Sequence, residues 1–434
     1  MEFALSPRAA ELTDRVRAFL ATEVEPVEDA YHREVAELRQ NGGDPWAPLP
    51  LLDELRAKAR EQGLWNLFLP VDDTTGDTPG HTTGHTGGYA ERFGVAGGQG
   101  MTNVDYASVA ELTGRSFIAP YIFNCNAPDT GNMEVLLRYG DEHQRKTWLE
   151  PLLDGTIRSA FCMTEPDVAS SDATNMEATA IVEGEEVVVN GRKWWSTGVG
   201  HRDCSVLIFM GLTDPAAHRY ARHSMVLVPR DAEGVKVERL LPVVGLYDEP
   251  FGHGEVSFTD VRVPLSNVIA GPGRAFEIAQ GRLGPGRVHH CMRLIGLAEM
   301  ALERACRRAT SRVAFGKPLA NLGGNRERIA DARTAIDSAR LLVLHAAWKL
   351  DTQGALASLS EVSQIKVAVP NMAQQVIDMA IQLHGGGGLS EDLPLAAAWT
   401  SARSLRLADG PDEVHRGVIA RLELAKYVSK EDAR

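Results

Sequence analysis

The chain has 434 residues, more than one hydrophobic core commonly serves, so two or three domains are expected. Hydrophobic residues make up 44% and charged residues 24%, and the formal net charge of -13 argues against a nucleic-acid partner, whose binding needs a concentrated basic footprint. Residues 1–20 carry Glu2, Glu11, Asp14 and three arginines and read as no secretory signal, and no apolar run reaches the roughly 18 residues of a membrane span.

Residues 5–68 read as helix, with Val16, Phe19 and Leu20 as one apolar group and Leu51, Leu52, Leu55 and Ala59 as another. The stretch 72–100 is rich in Gly and Thr, contains His81 and His85, and has neither helical nor strand period. It reads as a surface insertion, with a substrate-rim or oligomer-contact role as the alternative. Helical spacing returns over 103–155, and the period changes after Thr156. Residues 178–192 read as two strands, with turns at Glu183-Gly184 and Asn190-Gly191. Cys204 to Met210, Ser224 to Val228, Val235 to Leu240 and Glu255 to Phe258 add further strands. Short strands without long helices between them predict an antiparallel sheet or barrel. From Ala275 helices dominate again, at about 275–312, 326–352, 359–383 and 411–430. The last carries Val414, Val418, Leu422 and Ala425 on one side, and Pro411 suits its first turn. The expected class is α+β: a helical domain over 1–157, an antiparallel β-domain over 158–272 and a four-helix domain over 273–434. The five cysteines, Cys125, Cys162, Cys204, Cys291 and Cys306, are odd in number and have no metal-type pairing, so a reducing cytoplasmic compartment and no metal are expected.

Four constellations carry polar chemistry. In Phe161-Cys162-Met163-Thr164-Glu165-Pro166, followed by Ser170-Ser171, hydroxyls and irregular backbone suit the heteroatom edge of a flat ring and a phosphate, or an ordinary polar turn. Trp194-Trp195-Ser196-Thr197 puts adjacent indoles on opposite strand faces, one free to meet a ring. Arg312-Val313-Ala314-Phe315-Gly316-Lys317 offers a guanidinium fork to a pyrophosphate, or caps a helix dipole. Gln382-Leu383-His384-Gly385-Gly386 ends a helix with glycines but lacks the GxGxxG spacing of a dinucleotide fingerprint. Late in the chain, Ala408-Asp409-Gly410-Pro411-Asp412-Glu413-Val414-His415 holds the candidate base, Asp409, which on pattern alone reads first as a helix N-cap.

With these motifs the chain resembles the acyl-CoA dehydrogenases over nearly its whole length, most closely the branch whose larger animal members are called family members 10 and 11. Met163-Thr164-Glu165-Pro166 and Arg312-x-x-Phe315-Gly316-Lys317 carry the family likeness. Gly284-Pro285-Gly286-Arg287-Val288-His289-His290, the double serine and the Asp409 string carry the branch likeness. The resemblance implies non-covalent FAD held by Phe161, Met163, Thr164, Ser170, Ser171, Trp195 and Thr197, with Arg312, Phe315, Gln382 and Gly386 reaching the FAD of a neighbouring copy in a homodimer or homotetramer. It places Arg287 and Gly410 at the acyl-CoA substrate and makes Asp409 the catalytic base. The implied reaction removes the α-proton and passes the β-hydrogen as hydride to flavin N5. The product is a 2-enoyl-CoA, with electrons passed on to electron-transferring flavoprotein in fatty-acid β-oxidation. Most of the family has glutamate where this branch has aspartate. Leu322 stands where the family often has Gln, and nothing corresponds to the kinase-like domain of the large animal relatives. His289 and His290 read as packing or CoA-arm residues. An acyl-CoA oxidase or flavin monooxygenase on the same scaffold is one alternative, and a non-catalytic FAD-binding assembly subunit is another.

Overall fold

The computed structural model describes residues 3–69 and 98–428, so the greater part of the expected insertion, with His81 and His85, lies outside the described residues. Among the described residues the longer helices before the strands are α1 (Pro7–Phe19), α2 (Glu25–Gln40), α3 (Pro50–Glu61), α4 (Asn103–Thr113) and α5 (Asp129–Tyr139). Seven strands follow: β1 (Arg158–Cys162), β2 (Thr179–Glu183), β3 (Glu186–Thr197), β4 (Cys204–Leu212), β5 (His223–Pro229), β6 (Val235–Leu240) and β7 (His253–Pro264). Then come α6 (Ala275–Ser311), the hairpin β8 (Val313–Ala314) and β9 (Lys317–Pro318), α7 (Asn325–Ala357), α8 (Leu359–His384), α9 (Leu395–Ser404) and α10 (Asp412–Leu424). Among the described residues no helix is long and apolar enough to cross a membrane.

The chain divides into two compact units, Ala18–Met101 with Ile118–Gly286, and Met1–Arg17 with Thr102–Phe117 and Arg287–Arg434. The first unit contains the sheet, ordered β1-β4-β2-β3-β7-β6, with β5 paired to β4. Val187, Val189, Leu207, Phe209, Val226, Val228, Val256 and Phe258 fill its core. The expectation of an antiparallel sheet needs correction around β4, which β2 meets in parallel at Thr179 opposite Leu212 and β1 meets in parallel over a longer stretch. β1 runs parallel to β4, from Arg158 opposite Cys204 to Cys162 opposite Phe209. Parallel neighbours require a crossover in place of a hairpin, and the chain after β1 provides one by leaving through the loop 163–178 and building the β2–β3 hairpin before β4. The turn expected at Asn190-Gly191 is a second correction. These residues lie inside β3, where the register with β7 slips between Val189 and Gly191. Gly191 has φ +136° and a Cβ there would lie 2.5 Å from the Ala178 side chain, so glycine allows a bulge with close approach and the chain does not reverse.

The second unit is helical. Thr102 caps α4 by accepting the Asp105 N–H at 3.1 Å. α4 and α6 approach closely at two glycines: a Cβ on Gly114 would lie 2.1 Å from the Arg293 carbonyl, and one on Gly296 would lie 1.8 Å from the Glu111 carbonyl. Arg340 of α7 ties the same region together through both carboxylate oxygens of Glu111, each at 2.9 Å. The last helix does not turn its apolar side inward. Its buried residues are Asp412 and His415, whereas Val414 is exposed and Val418 and Leu422 are half-buried. Polar contacts decide which face turns inward here, a choice that hydrophobic period does not encode.

Because the groups facing Gly296 are backbone atoms that cannot rotate away, Gly296→Ala is expected to force the helices apart and to cost about 1–3 kcal/mol. Chemical denaturation read by far-UV circular dichroism checks this, and Gly417→Ala, inside α10 where a Cβ meets nothing within 4 Å, is the control expected to stabilise by about 0.5–1 kcal/mol through helix propensity.

Candidate active site

In the sheet unit, a buried ion pair organises the first candidate cluster. Lys193 Nζ lies 2.6 Å from Glu165 Oε1, with the lysine side chain fully buried and the glutamate nearly so. Removing two charges from water is costly unless every remaining donor and acceptor is used. Here Lys193 also donates to the Met163 carbonyl at 2.9 Å, and the Glu165 carboxylate accepts the N–H groups of Glu177 (2.9 Å) and Ala178 (3.1 Å). Burial pushes the Lys193 ammonium below its usual range, and the Glu165 charge acts against that shift. The pair therefore fastens both ends of the loop 163–178 to β3.

Around it gather most of the ring-contact candidates. The Thr164 carbonyl accepts the Trp194 N–H at 2.9 Å, so the loop runs beside the paired tryptophans. Trp195 adopts φ +53° where the β3–β7 register slips, and its indole is 41% exposed while Trp194 is half-buried. The bulge, beyond simple strand alternation, is what turns Trp195 outward. Thr197 shares a hydrogen bond with His253 Nδ1 at 2.8 Å. Phe161 sits on β1 with the Arg282 guanidinium 4.0 Å over its ring, and Arg282 donates to Asn132 at 3.2 Å. Ser170 has a bracing role within the loop: its hydroxyl accepts the Glu165 N–H at 2.8 Å, whereas Ser171 is exposed.

Arg282 went unnoticed in the sequence, as did the buried Glu134, whose carboxyl is pushed up to about 7 by burial against the opposing influence of Arg138 and Arg282. The one sequence signal for Glu134 is an acid embedded in the apolar run Met133 to Leu136.

The helical unit holds Asp409. Its backbone is left-handed at φ +56°, followed by Gly410 at φ +104°, and its side chain is about one-fifth exposed. Aspartate and asparagine are the non-glycine residues that enter this region most readily. Two side chains hold the Asp409 carbonyl: Arg287 Nε donates at 3.0 Å and the His415 Nε2 hydrogen at 3.2 Å. Lys366 donates to the Leu405 carbonyl and, at 3.5 Å, to that of Gly410. Burial, with Arg287 and Lys366 nearby, pushes His415 down to about 4, so it serves as a neutral donor. A Cβ on Gly410 would meet His415 Nε2 at 2.9 Å, which explains glycine at that position.

Asp409 is not the cap of α10. That cap is Pro411, with no side-chain hydrogen bond. Asp412, three residues on, is occupied: it pairs with Arg406 (2.9 Å) and accepts from Asn371 (3.1 Å). Arg287, expected at the substrate, spends one donor on the loop that carries Asp409. Of the two histidines, His289 is buried edge-on against Tyr106, whereas His290 Nε2 lies 3.4 Å from Asp409 Oδ2. Packing therefore describes His289, and for His290 the relevant neighbour is the candidate base.

The four residues expected to reach a neighbouring copy are all exposed. Arg312 and Phe315 lie at the β8–β9 hairpin, with Phe315 at φ +52° and 96% exposed, and Gln382 and Gly386 lie at the end of α8.

Models of the acyl-CoA dehydrogenase N-terminal, middle and C-terminal domains match residues 92–156, 160–261 and 273–424. The chain belongs to the acyl-CoA dehydrogenase family, with a middle β-sheet domain between helical domains. It is 50% identical over 420 residues to mouse acyl-CoA dehydrogenase family member 10, covering 97% of this chain and 37% of the mouse protein. To chicken family member 11 it is 48% identical over 437 residues, covering the whole of this chain and 52% of the relative. The chain thus spans between about a third and a half of the length of these relatives. A solved chain from Mycobacterium abscessus, assigned to the acyl-CoA dehydrogenases, is 66% identical with a TM-score of 0.90, covering 98% of this chain and all of that one.

Lys193→Met strands the Glu165 carboxylate in the sheet and is expected to cost about 3–5 kcal/mol. Lys193→Met with Glu165→Gln removes both charges and is expected to cost less. Thermal and urea unfolding of both variants checks the order.

Proposed function

We propose that the chain is an FAD-dependent acyl-CoA dehydrogenase with Asp409 as its catalytic base. The observation that carries this reading is the Asp409 cluster: a left-handed aspartate whose carbonyl is clamped by Arg287 and His415 while its carboxylate stays partly accessible. A general base must reach its proton within hydrogen-bond distance and hold one geometry, and a clamped backbone meets the second need.

The donor set of the sheet unit fits a flavin. Thr164 and Thr197 bring hydroxyls, Met163 lies on the loop fastened by the Lys193–Glu165 pair, and Trp195 presents an exposed ring. Phe161, Ser170 and Ser171 complete the set assigned to the non-covalent cofactor from this unit, and Arg312, Phe315, Gln382 and Gly386 serve the cofactor of a partner copy in a dimer or tetramer. When bound, FAD supplies the acceptor for the β-hydrogen, as hydride at N5. Asp409 takes the α-proton of the thioester, which its carbonyl acidifies. The backbone N–H of residue 409 stabilises the charge developing on that carbonyl oxygen. Gly410 and Arg287 line the acyl-CoA arm.

The product is a 2-enoyl-CoA, and electrons pass to an electron-transferring flavoprotein in cytoplasmic β-oxidation. The reading divides the chain into domains 1–157, 158–272 and 273–434.

Asp409→Asn keeps a side chain of the same size without a basic oxygen. It is expected to retain FAD, read by the visible spectrum after gel filtration, and to bleach its flavin about 100- to 10,000-fold more slowly with acyl-CoAs. Anaerobic stopped-flow against straight-chain, branched and hydroxylated acyl-CoAs measures this. Bleaching at the parent rate would overturn the assignment.

A further inference from the structure

We propose that His290, held by Arg293 as the neutral ring with its proton on Nε2, is a positioning residue that orients and tunes the Asp409 carboxylate. The inference rests on the reading of Asp409 as the base. Its starting point is a chain of three polar groups: Arg293 Nη2 lies 3.2 Å from His290 Nδ1, and His290 Nε2 lies 3.4 Å from Asp409 Oδ2.

A guanidinium carries five donors, no acceptor, and stays charged. The contact with Arg293 is therefore made only if Nδ1 accepts. A neutral imidazole accepting at Nδ1 carries its hydrogen on Nε2, and Nε2 is the nitrogen beside the carboxylate. A second proton on the ring would have to sit on Nδ1, facing the donors and positive charge of Arg293. The arginine thus selects the tautomer and opposes formation of an imidazolium. Asp409 meets an N–H dipole instead of a full cation, which steadies one carboxylate rotamer.

The frame that holds this arrangement is local to α6 and its neighbour α4. His290 and Arg293 are three residues apart and share a helix face. The Arg293 backbone packs against Gly114 with no room for a Cβ, and Tyr106 packs edge-on against the adjacent His289 at 4.8 Å. Other ionisable groups bear on the same two residues. Arg287, Cys291, Lys366 and His415 act on Asp409, from α6, α8 and α10, and His289 and Arg293 act on His290. Burial holds the Cys291 thiol up at about 12 and the His289 ring down at about 3, with Arg293 and His290 adding to the latter, so neither changes charge near neutral pH.

The first test needs no substrate. Ring nitrogen-15 NMR of the full-length, FAD-loaded protein, with the His290 signals assigned by their loss in His290→Gln, is expected to show a neutral ring protonated at Nε2 at pH 7.5. A ring protonated at Nδ1, or at both nitrogens, would overturn the proposal. The second test is the pH profile of anaerobic flavin bleaching by the first member of a C4 to C16 acyl-CoA series that reduces the parent. His290→Phe removes the donor, so the carboxylate is less stabilised and takes its proton at higher pH. The acidic limb is expected to rise by about one pH unit, roughly a tenfold loss on that side. Gln can accept from Arg293 through its oxygen and donate to Asp409 through its amide, so His290→Gln is expected to keep the parent limb. If Phe and Gln variants share one profile, the role is packing and the proposal fails. If Asp409→Asn bleaches at the parent rate, the base assignment fails first, a result distinct from either histidine outcome.

Discussion

A carboxylate works as a base only if its backbone cannot swing and its oxygens are not consumed. In this chain the backbone of Asp409, the proposed base, is held at its carbonyl, which takes a hydrogen bond from Arg287 on α6 and another from His415 on α10. The left-handed turn that aims this carbonyl is intrinsically unfavourable for most residues. It is tolerated best by glycine, asparagine and aspartate, and Asp409-Gly410 is such a pair. A physical reason for aspartate at this position follows: its short polar side chain suits the turn as well as the proposed chemistry. Lys366, binding the carbonyls of Leu405 and Gly410, fixes the same turn from α8.

The sheet unit solves a parallel problem with opposite means. A loop proposed to hold a cofactor presents polar groups outward and is irregular, yet it must not wander. The Lys193–Glu165 pair reconciles these demands by satisfying the loop's backbone from inside the sheet. Such a pair contributes little net stability compared with apolar packing, and its strength lies in specifying one arrangement. Trp195 depends on it indirectly, since the bulge that turns the indole outward is next to the lysine.

Much of the element order is legible in the sequence. The long helices at 275–312 and 359–383 match Ala275–Ser311 and Leu359–His384 closely, because long amphipathic periods leave little ambiguity. The misreadings have a common cause. Asn190-Gly191 resembles a turn locally, but β7 supplies a partner on the far side and Ala178 crowds the glycine, so the strand continues through a bulge. α10 has an apolar side, yet Asp412 and His415 face inward because Arg406, Asn371 and the Asp409 carbonyl await them. The partner of His290 was equally illegible, since Asp409 lies more than a hundred residues away in sequence.

The sequence by itself determined the class: helical, then strand-rich, then helical, with short motifs that place the chain among the acyl-CoA dehydrogenases. Periodicity and motifs are local quantities, written within a few turns of chain, and they survive without knowledge of partners. Tertiary structure alone decided which oxygen of which residue is clamped, which histidine meets the carboxylate, and which serine braces a loop. Those are distances between segments remote along the chain, and only folding converts them into hydrogen bonds.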